Sequence, residues 1–200
     1  MNWHHQTPSC AFLGDQLLAH GSLDAVAGQC KRALEQTPNI PLLVFNEDDY
    51  SQIEIDFRGT AEAVVAALPR SPVSQEEVEQ EAIAKPKGRG RPKLGVVPRE
   101  VTLLPRHWEW LRAQPGGASV ALRKLVESAR KESAPVDRLR HAQNSAYRFM
   151  SVMAGEREGF EEASRALFAQ DMDAYCQYSE VWPEDIRARA RNLAARAMPD

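Results

Sequence analysis

Between Lys85 and Gly95 the chain reads KPKGRGRPKLG, a run of residue types suited to gripping a polyanion. Lys85, Lys87, Arg89, Arg91 and Lys93 fall close together with no acid among them. The spacing carries more information than the charge. The minor groove of A·T-rich DNA is narrow and strongly negative, and it attracts arginine. Gly90 has no Cβ, so the backbone between Arg89 and Arg91 can lie deep in such a groove. Pro92 restricts the chain to extended conformations and removes one amide donor. The expected arrangement has Arg89 and Arg91 along the groove floor, with Lys85, Lys87 and Lys93 reaching flanking phosphates. A phosphate-binding loop of the nucleotidase type is a poor rival, because GRGRPKLG lacks the Gly-Lys-Ser/Thr ending.

The basic run stands out because its surroundings are acidic. The whole chain of 200 residues has a formal net charge of -3. Residues 1–70 carry four cations against nine acids, and SQEEVEQEA (Ser74 to Ala82) holds four glutamates and no cation. Residues 99–133 carry seven cations against four acids, and residues 134–200 nine against eleven. The positive field is confined to the stretch from Lys85 to Lys131, which a polyanionic partner would meet first.

The basic core resembles an AT-hook, the minor-groove peptide built on Arg-Gly-Arg-Pro. The residues after it, PREVTLLPRHWEWLRAQPGGASVALRKLVESARKE, read as one strand and two short helices. In EVTLL, Val101 and Leu103 share one side and Glu100, Thr102 and Leu104 the other. Pro105 suits the first turn of a helix in which Trp108 and Leu111 share a face. Pro115, Gly116 and Gly117 end that helix, and Ser119 is expected to cap the next. In that second helix Val120, Leu122, Leu125, Val126 and Ala129 form the apolar stripe. So short a segment cannot bury an independent core. It is similar to the ribbon-helix-helix repressors, in which two chains pair their strands into a ribbon that enters the major groove. That resemblance implies a homodimer. It assigns Arg99 and Thr102 to the DNA face and Ser119 to a phosphate clamp at a helix N-terminus. Glu100 departs from the pattern, since a carboxylate on that face repels phosphates.

The elements around this centre predict an α+β fold. Residues 8–69 read as a small ββαββα module. CAFLG and QLLAHG flank a turn at Asp15, Ser22 caps the helix LDAVAGQCKRALEQ, and PLLVF and SQIEIDF form two further strands about the loop NEDDYS. AEAVVAAL closes the module. Residues 70–98, with four prolines and segregated charge, read as a linker. The ribbon-helix-helix-like segment occupies 99–133. Residues 134–198 read as all-helical, with VDRLRHAQNSAYRFMSVMAGE as a helix ending near Gly155, FEEASRALFAQ, a short helix from Met172 to Tyr178, and EDIRARARNLAARAM after Pro183.

Other constellations promise little chemistry. His4 and His5 are expected in a frayed tail, and His107 and His141 stand alone on amphipathic helices. Three scattered cysteines argue against a disulfide framework and for a reducing cytoplasm. Cys30 reads as core and Cys176 as packing. The acids of NEDDY lack the alternation of a calcium loop. Glu161 with Arg165, and Asp185 with Arg189, have the spacing of ion pairs on helix faces. No catalytic set, cofactor motif, metal site, membrane span or secretory signal is visible.

The residues GRGRPKLGVVPREVTLLPRHWEWLRAQPGGASVALRKLVESARK, AYRFMSVMAGE, GFEEASRALFA and WPEDIRARA resemble the bacterial family known as domain of unknown function 2239. This resemblance runs from about Phe12 to Leu193 and implies no particular activity. Taken together, the sequence leads to the expectation of a cytoplasmic, dimeric, non-enzymatic regulator that binds double-stranded, A·T-rich DNA. The alternative is a protein-interaction adaptor whose basic segment is only a tether.

Overall fold

The computed structural model describes residues 3–70, 97 and 99–198. The linker from Ser71 to Val96, and the whole basic peptide with it, lie outside the described residues. Two compact units are present: residues 1–72 together with 137–200, and residues 73–136.

The first unit is built on a three-stranded antiparallel sheet of order β2-β1-β3, where β1 is Pro8–Leu13, β2 Gln16–Ser22 and β3 Leu42–Asn46. Helices α1 (Leu23–Gln36) and α2 (Ala61–Ala67) pack on one face. The other face meets the helices from the second half of the chain. A strand covered on both sides loses the usual alternation of apolar and polar residues. Cys-Ala-Phe in the middle of β1 is accordingly buried throughout. The alternation reappears as a choice between two cores. Cys10 and Phe12 of β1 and Phe45 of β3 enter the large core with the C-terminal helices. Ala11 and Val44, which point the other way, join Leu23, Val26, Ala27 and Cys30 of α1 and Val64 of α2.

The large core is organised by one aromatic side chain. Phe149 belongs to α4 (Gly117–Ala154), and its ring centroid lies 5.4 Å from that of Phe12, 5.5 Å from Phe45 and 5.6 Å from Tyr50. Met150, Met153 and Ala154 continue the same helix face. Behind them pack α5 (Phe160–Ala169), α6 (Met172–Tyr178) and α7 (Glu184–Ala197), through Leu167, Tyr175, Ile186, Ala190 and Leu193. Gly159, at φ 81°, makes the turn into α5. A Cβ there would meet the Tyr178 carbonyl oxygen at 2.3 Å, so only glycine fits.

The arginines of α7 are largely consumed by structure. Arg189 donates to Glu47 and to the Tyr50 hydroxyl, both at 3.0 Å. Arg191 donates to the Cys176 carbonyl and the Ser179 hydroxyl, and Arg187 to the Glu180 carbonyl. The expected pairs within the helices are replaced by others. Asp185 accepts from the Leu17 amide of β2 at 2.8 Å instead of meeting Arg189. Arg165 takes Glu162 rather than Glu161. The first change follows from a strand brought in by folding; the second only exchanges an i, i+4 partner for the i, i+3 one on the same helix.

Several local expectations are corrected. The fourth strand, SQIEIDF, is reduced to the single bridge of Gln52 to Phe45. Ile53 still turns inward and bonds Val44. Beyond it, Asp56 bonds the Arg58 amide and guanidinium, a local turn that competes with a ladder. The described part of the tail is not frayed. The His5 amide bonds the Pro69 carbonyl, and Trp3 packs on the smaller core. Ser22 occupies the N-cap position of α1 without capping it; its hydroxyl bonds Asp24 instead. The helices read separately as VALRKLVESARK and VDRLRHAQNSAYRFMSVMAGE are one, because α4 runs on through Pro135. A proline removes one helical hydrogen bond and crowds the carbonyl four residues back. Here Pro135 and Lys131 are both exposed, so water can serve the freed carbonyl.

Phe149→Ala removes the ring that three strand-side aromatics share. It is expected to destabilise the chain by about 3–5 kcal/mol, read as a fall in the urea midpoint. A Phe168→Ala control, at a half-exposed ring, should change the midpoint far less.

Candidate functional site

Of the residues assigned to a DNA-facing role, Lys85, Lys87, Arg89, Gly90, Arg91, Pro92 and Lys93 lie outside the described residues. Arg99, Thr102 and Ser119 lie within them, in the second unit, and all three are exposed. Residues 99–104 form no strand within the single chain. Helix α3 (Pro105–Arg112) follows, with Pro105 in its first turn. Its Leu111 is buried and its Trp108 half-buried on the same face.

The turn into α4 departs from the expected cap. Gly116 at φ 85° and Gly117 at φ 77° reverse the chain, and α4 starts at Gly117. Ser119 is therefore inside the first helical turn rather than at its cap. A side chain at Gly116 would also press on Val120, whose Cβ lies 3.1 Å from the position of the missing Cβ. The first amides of a helix lack intrahelical partners. That of Gly117 is taken by the Gln114 carbonyl, which leaves the Ser119 amide in the free set. The Ser119 carbonyl receives the Arg123 guanidinium at 3.1 Å, which folds that cation back along the helix start.

The cations of this segment divide into two groups. Arg130 and Lys131 share Glu127 one turn away. Arg99, Arg106, Arg112 and Lys124 have no carboxylate partner among the described residues, and all are exposed. Sequence reading assigned Arg106, Arg112 and Lys124 to nothing in particular. The available signal was the excess of seven cations over four acids in residues 99–133. Only the fold sorts those cations into paired and unpaired.

The apolar side chains of the segment are poorly covered. Leu111 and Ala121 are buried, yet Val101 is 57 % exposed, Leu125 49 % and Val126 63 %. The expected burial of Val101 beside Leu103 is therefore not reached within one chain; Leu103 is half-buried. Without a ladder among the described residues, no sheet holds the apolar side of 99–104 against the helices.

Nucleophilic and metal chemistry find little support among the described residues. No group of three or more His, Cys, Asp or Glu is placed to hold a metal ion. Burial pushes the Cys10 and Cys30 thiols up to about 12, so both stay protonated near neutrality. A thiol reagent is expected to label Cys176 in the native chain and to reach Cys10 and Cys30 only after unfolding. Arg189→Met, which strands the Glu47 carboxylate and the Tyr50 hydroxyl, is expected to cost about 2–3 kcal/mol, measured by urea denaturation.

No helix among the described residues is long and apolar enough to cross a membrane. No curated protein and no solved structure was found to match the chain. A family model does match, over residues 8–194, and by it the chain belongs to the bacterial family described as "Uncharacterized protein conserved in bacteria" (DUF2239).

Proposed function

We propose that this protein is a cytoplasmic, non-enzymatic DNA-binding regulator that acts as a homodimer. The observation that carries the reading is the intact Arg89-Gly90-Arg91-Pro92 core, placed immediately before a segment with four exposed cations that have no carboxylate partner among the described residues. In this reading Arg89 and Arg91 enter the minor groove of A·T-rich duplex, with Lys85, Lys87 and Lys93 on the flanking phosphates. The finer resemblance to a ribbon-helix-helix module belongs to the same proposal. Residues 99–104 of two chains pair, Thr102 and Arg99 face the DNA, and the free amides near Ser119 meet a phosphate.

Two physical points support the dimer. Residues 99–104 form no ladder among the described residues, and an extended segment without one has unpaired amides and carbonyls along its length. The apolar residues Val101, Leu125 and Val126 remain in water unless another copy covers them. Covering the exposed part of these side chains favours association, up to a limit of about 1.5–3 kcal/mol for a side chain buried in full. The acidic balance of residues 1–70 and 134–200 would restrain indiscriminate attachment to DNA by like-charge repulsion.

The test is a duplex titration of the full chain. Wild type is expected to prefer A·T-rich over G·C-rich duplex. Arg89→Ala/Arg91→Ala is expected to abolish that preference while retaining some residual affinity. With about six phosphate contacts, affinity should fall by roughly three decades between ~50 and ~200 mM salt. Equal losses on both duplexes would reduce the basic segment to simple charge attraction. No binding at low ionic strength would leave it as a tether. Separately, light scattering of the full chain should give a dimer, and Leu125→Glu/Val126→Glu a monomer.

A further inference from the structure

One concave site in the first unit has no part in the DNA reading. It lies between the β3 end, helix α4 and helix α7, and encloses roughly 290 Å³. That is at the small end for ligand pockets, which run to roughly 300–1,000 Å³. Its apolar surface comes from Tyr50, Ala142 and Leu193.

Helix α4 lays a stripe of polar groups along the cavity. Arg138, His141 and Ser145 fall at i, i+3 and i+7, so all three face the same side. Ser145 is only 6 % exposed and lines the cavity. Its hydroxyl is a donor that a group placed in the cavity can use.

The charges around the cavity are not self-compensated. Arg196 of α7 and Arg138 of α4 have no carboxylate partner among the described residues. Across from them stand Glu47 and Asp48. Glu47 is already matched, because Arg189 donates to it at 3.0 Å with both side chains largely buried. Burial alone would lower the Arg189 guanidinium. Tyr50, Cys10 and Glu47 outweigh that and hold it above its ordinary range, so it stays charged. Two guanidinium groups then face the single unmatched carboxylate of Asp48.

We propose that this cavity binds a small organic carboxylate with an apolar body. Guanidinium forks suit a carboxylate, which they can hold with paired hydrogen bonds. The Ser145 hydroxyl supplies a further donor at the buried end, and Tyr50, Ala142 and Leu193 cover the hydrocarbon. Asp48 and Glu47 disfavour a phosphate dianion, whose second charge they would repel. The site rests on its own geometry and does not depend on the basic peptide binding DNA.

The experiment uses the full chain without DNA. Butyrate, hexanoate, benzoate and phenylacetate are titrated at millimolar concentration by calorimetry and thermal shift. The corresponding neutral amides and inorganic phosphate serve as comparisons. At least one carboxylate is expected to bind at a single site and raise Tm, with its amide and phosphate roughly tenfold weaker or worse, a factor that corresponds to one charged contact. Arg138→Gln and Arg196→Gln are each expected to weaken that carboxylate by a similar factor. Ser145→Ala should weaken it too. Arg138 and Arg196 have no carboxylate partner among the described residues, so the ligand-free Tm of the arginine variants should stay close to wild type. The proposal is overturned if no carboxylate of the set binds, if phosphate binds as tightly, or if the arginine variants bind as wild type does.

Discussion

Everything in the first unit depends on a small sheet having both faces covered. Three strands expose two apolar surfaces, and neither would be stable in water. Helices α1 and α2 seal one surface from the adjacent sequence. The other is sealed from far along the chain, by Phe149 between Phe12, Phe45 and Tyr50. That long-range aromatic contact makes residues 1–72 and 137–200 one compact unit. Polar ties reinforce it at the edges. Asp185 holds the Leu17 amide, Arg189 holds Glu47 and Tyr50, Arg157 pairs with Asp15, and Arg148 pairs with Asp49.

The second unit obeys a different constraint. Its described residues include only two buried apolar side chains, Leu111 and Ala121. Such a segment gains little from folding upon itself, and its valines and leucine stay largely uncovered. The unpaired arginines and lysine nearby have the same incompleteness in charge that the valines have in hydrophobic area. One proposed partner, a second copy, answers the apolar deficit. Another, a duplex, answers the electrostatic one. The cavity of the first unit is incomplete in a similar way, lined by two guanidinium groups without a carboxylate partner among the described residues.

Much of the fold was legible because local periodicity survives folding. Leu23, Val26, Ala27 and Cys30 mark the buried stripe of α1, and the short helix Met172–Tyr178 forms over the residues expected. The errors cluster where two local signals compete. Ile53, Ile55 and Phe57 alternate as in a strand, but Asp56 captures Arg58 and the ladder stops at one bridge. Pro135 looks like a helix stop, yet the helix continues where solvent can serve the freed carbonyl. Of the candidate site, the charged residues could be named from sequence. Their pairing could not, since Glu127 takes Arg130 and Lys131, and Lys124 has no carboxylate partner among the described residues.

By itself the sequence determined the mixed α+β character, the separation of acidic and basic stretches, the family and the Arg-Gly-Arg-Pro core, because each is written in consecutive residues. The tertiary structure alone decided that the N-terminal sheet and the C-terminal helices share one core. It also decided which α7 arginines are spent on structure, and that Arg138, Ser145 and Arg196 meet around one cavity with Tyr50. Those facts depend on side chains separated by up to about 150 residues along the chain, and chain order carries no signal of which distant groups will meet once apolar surface is driven out of water.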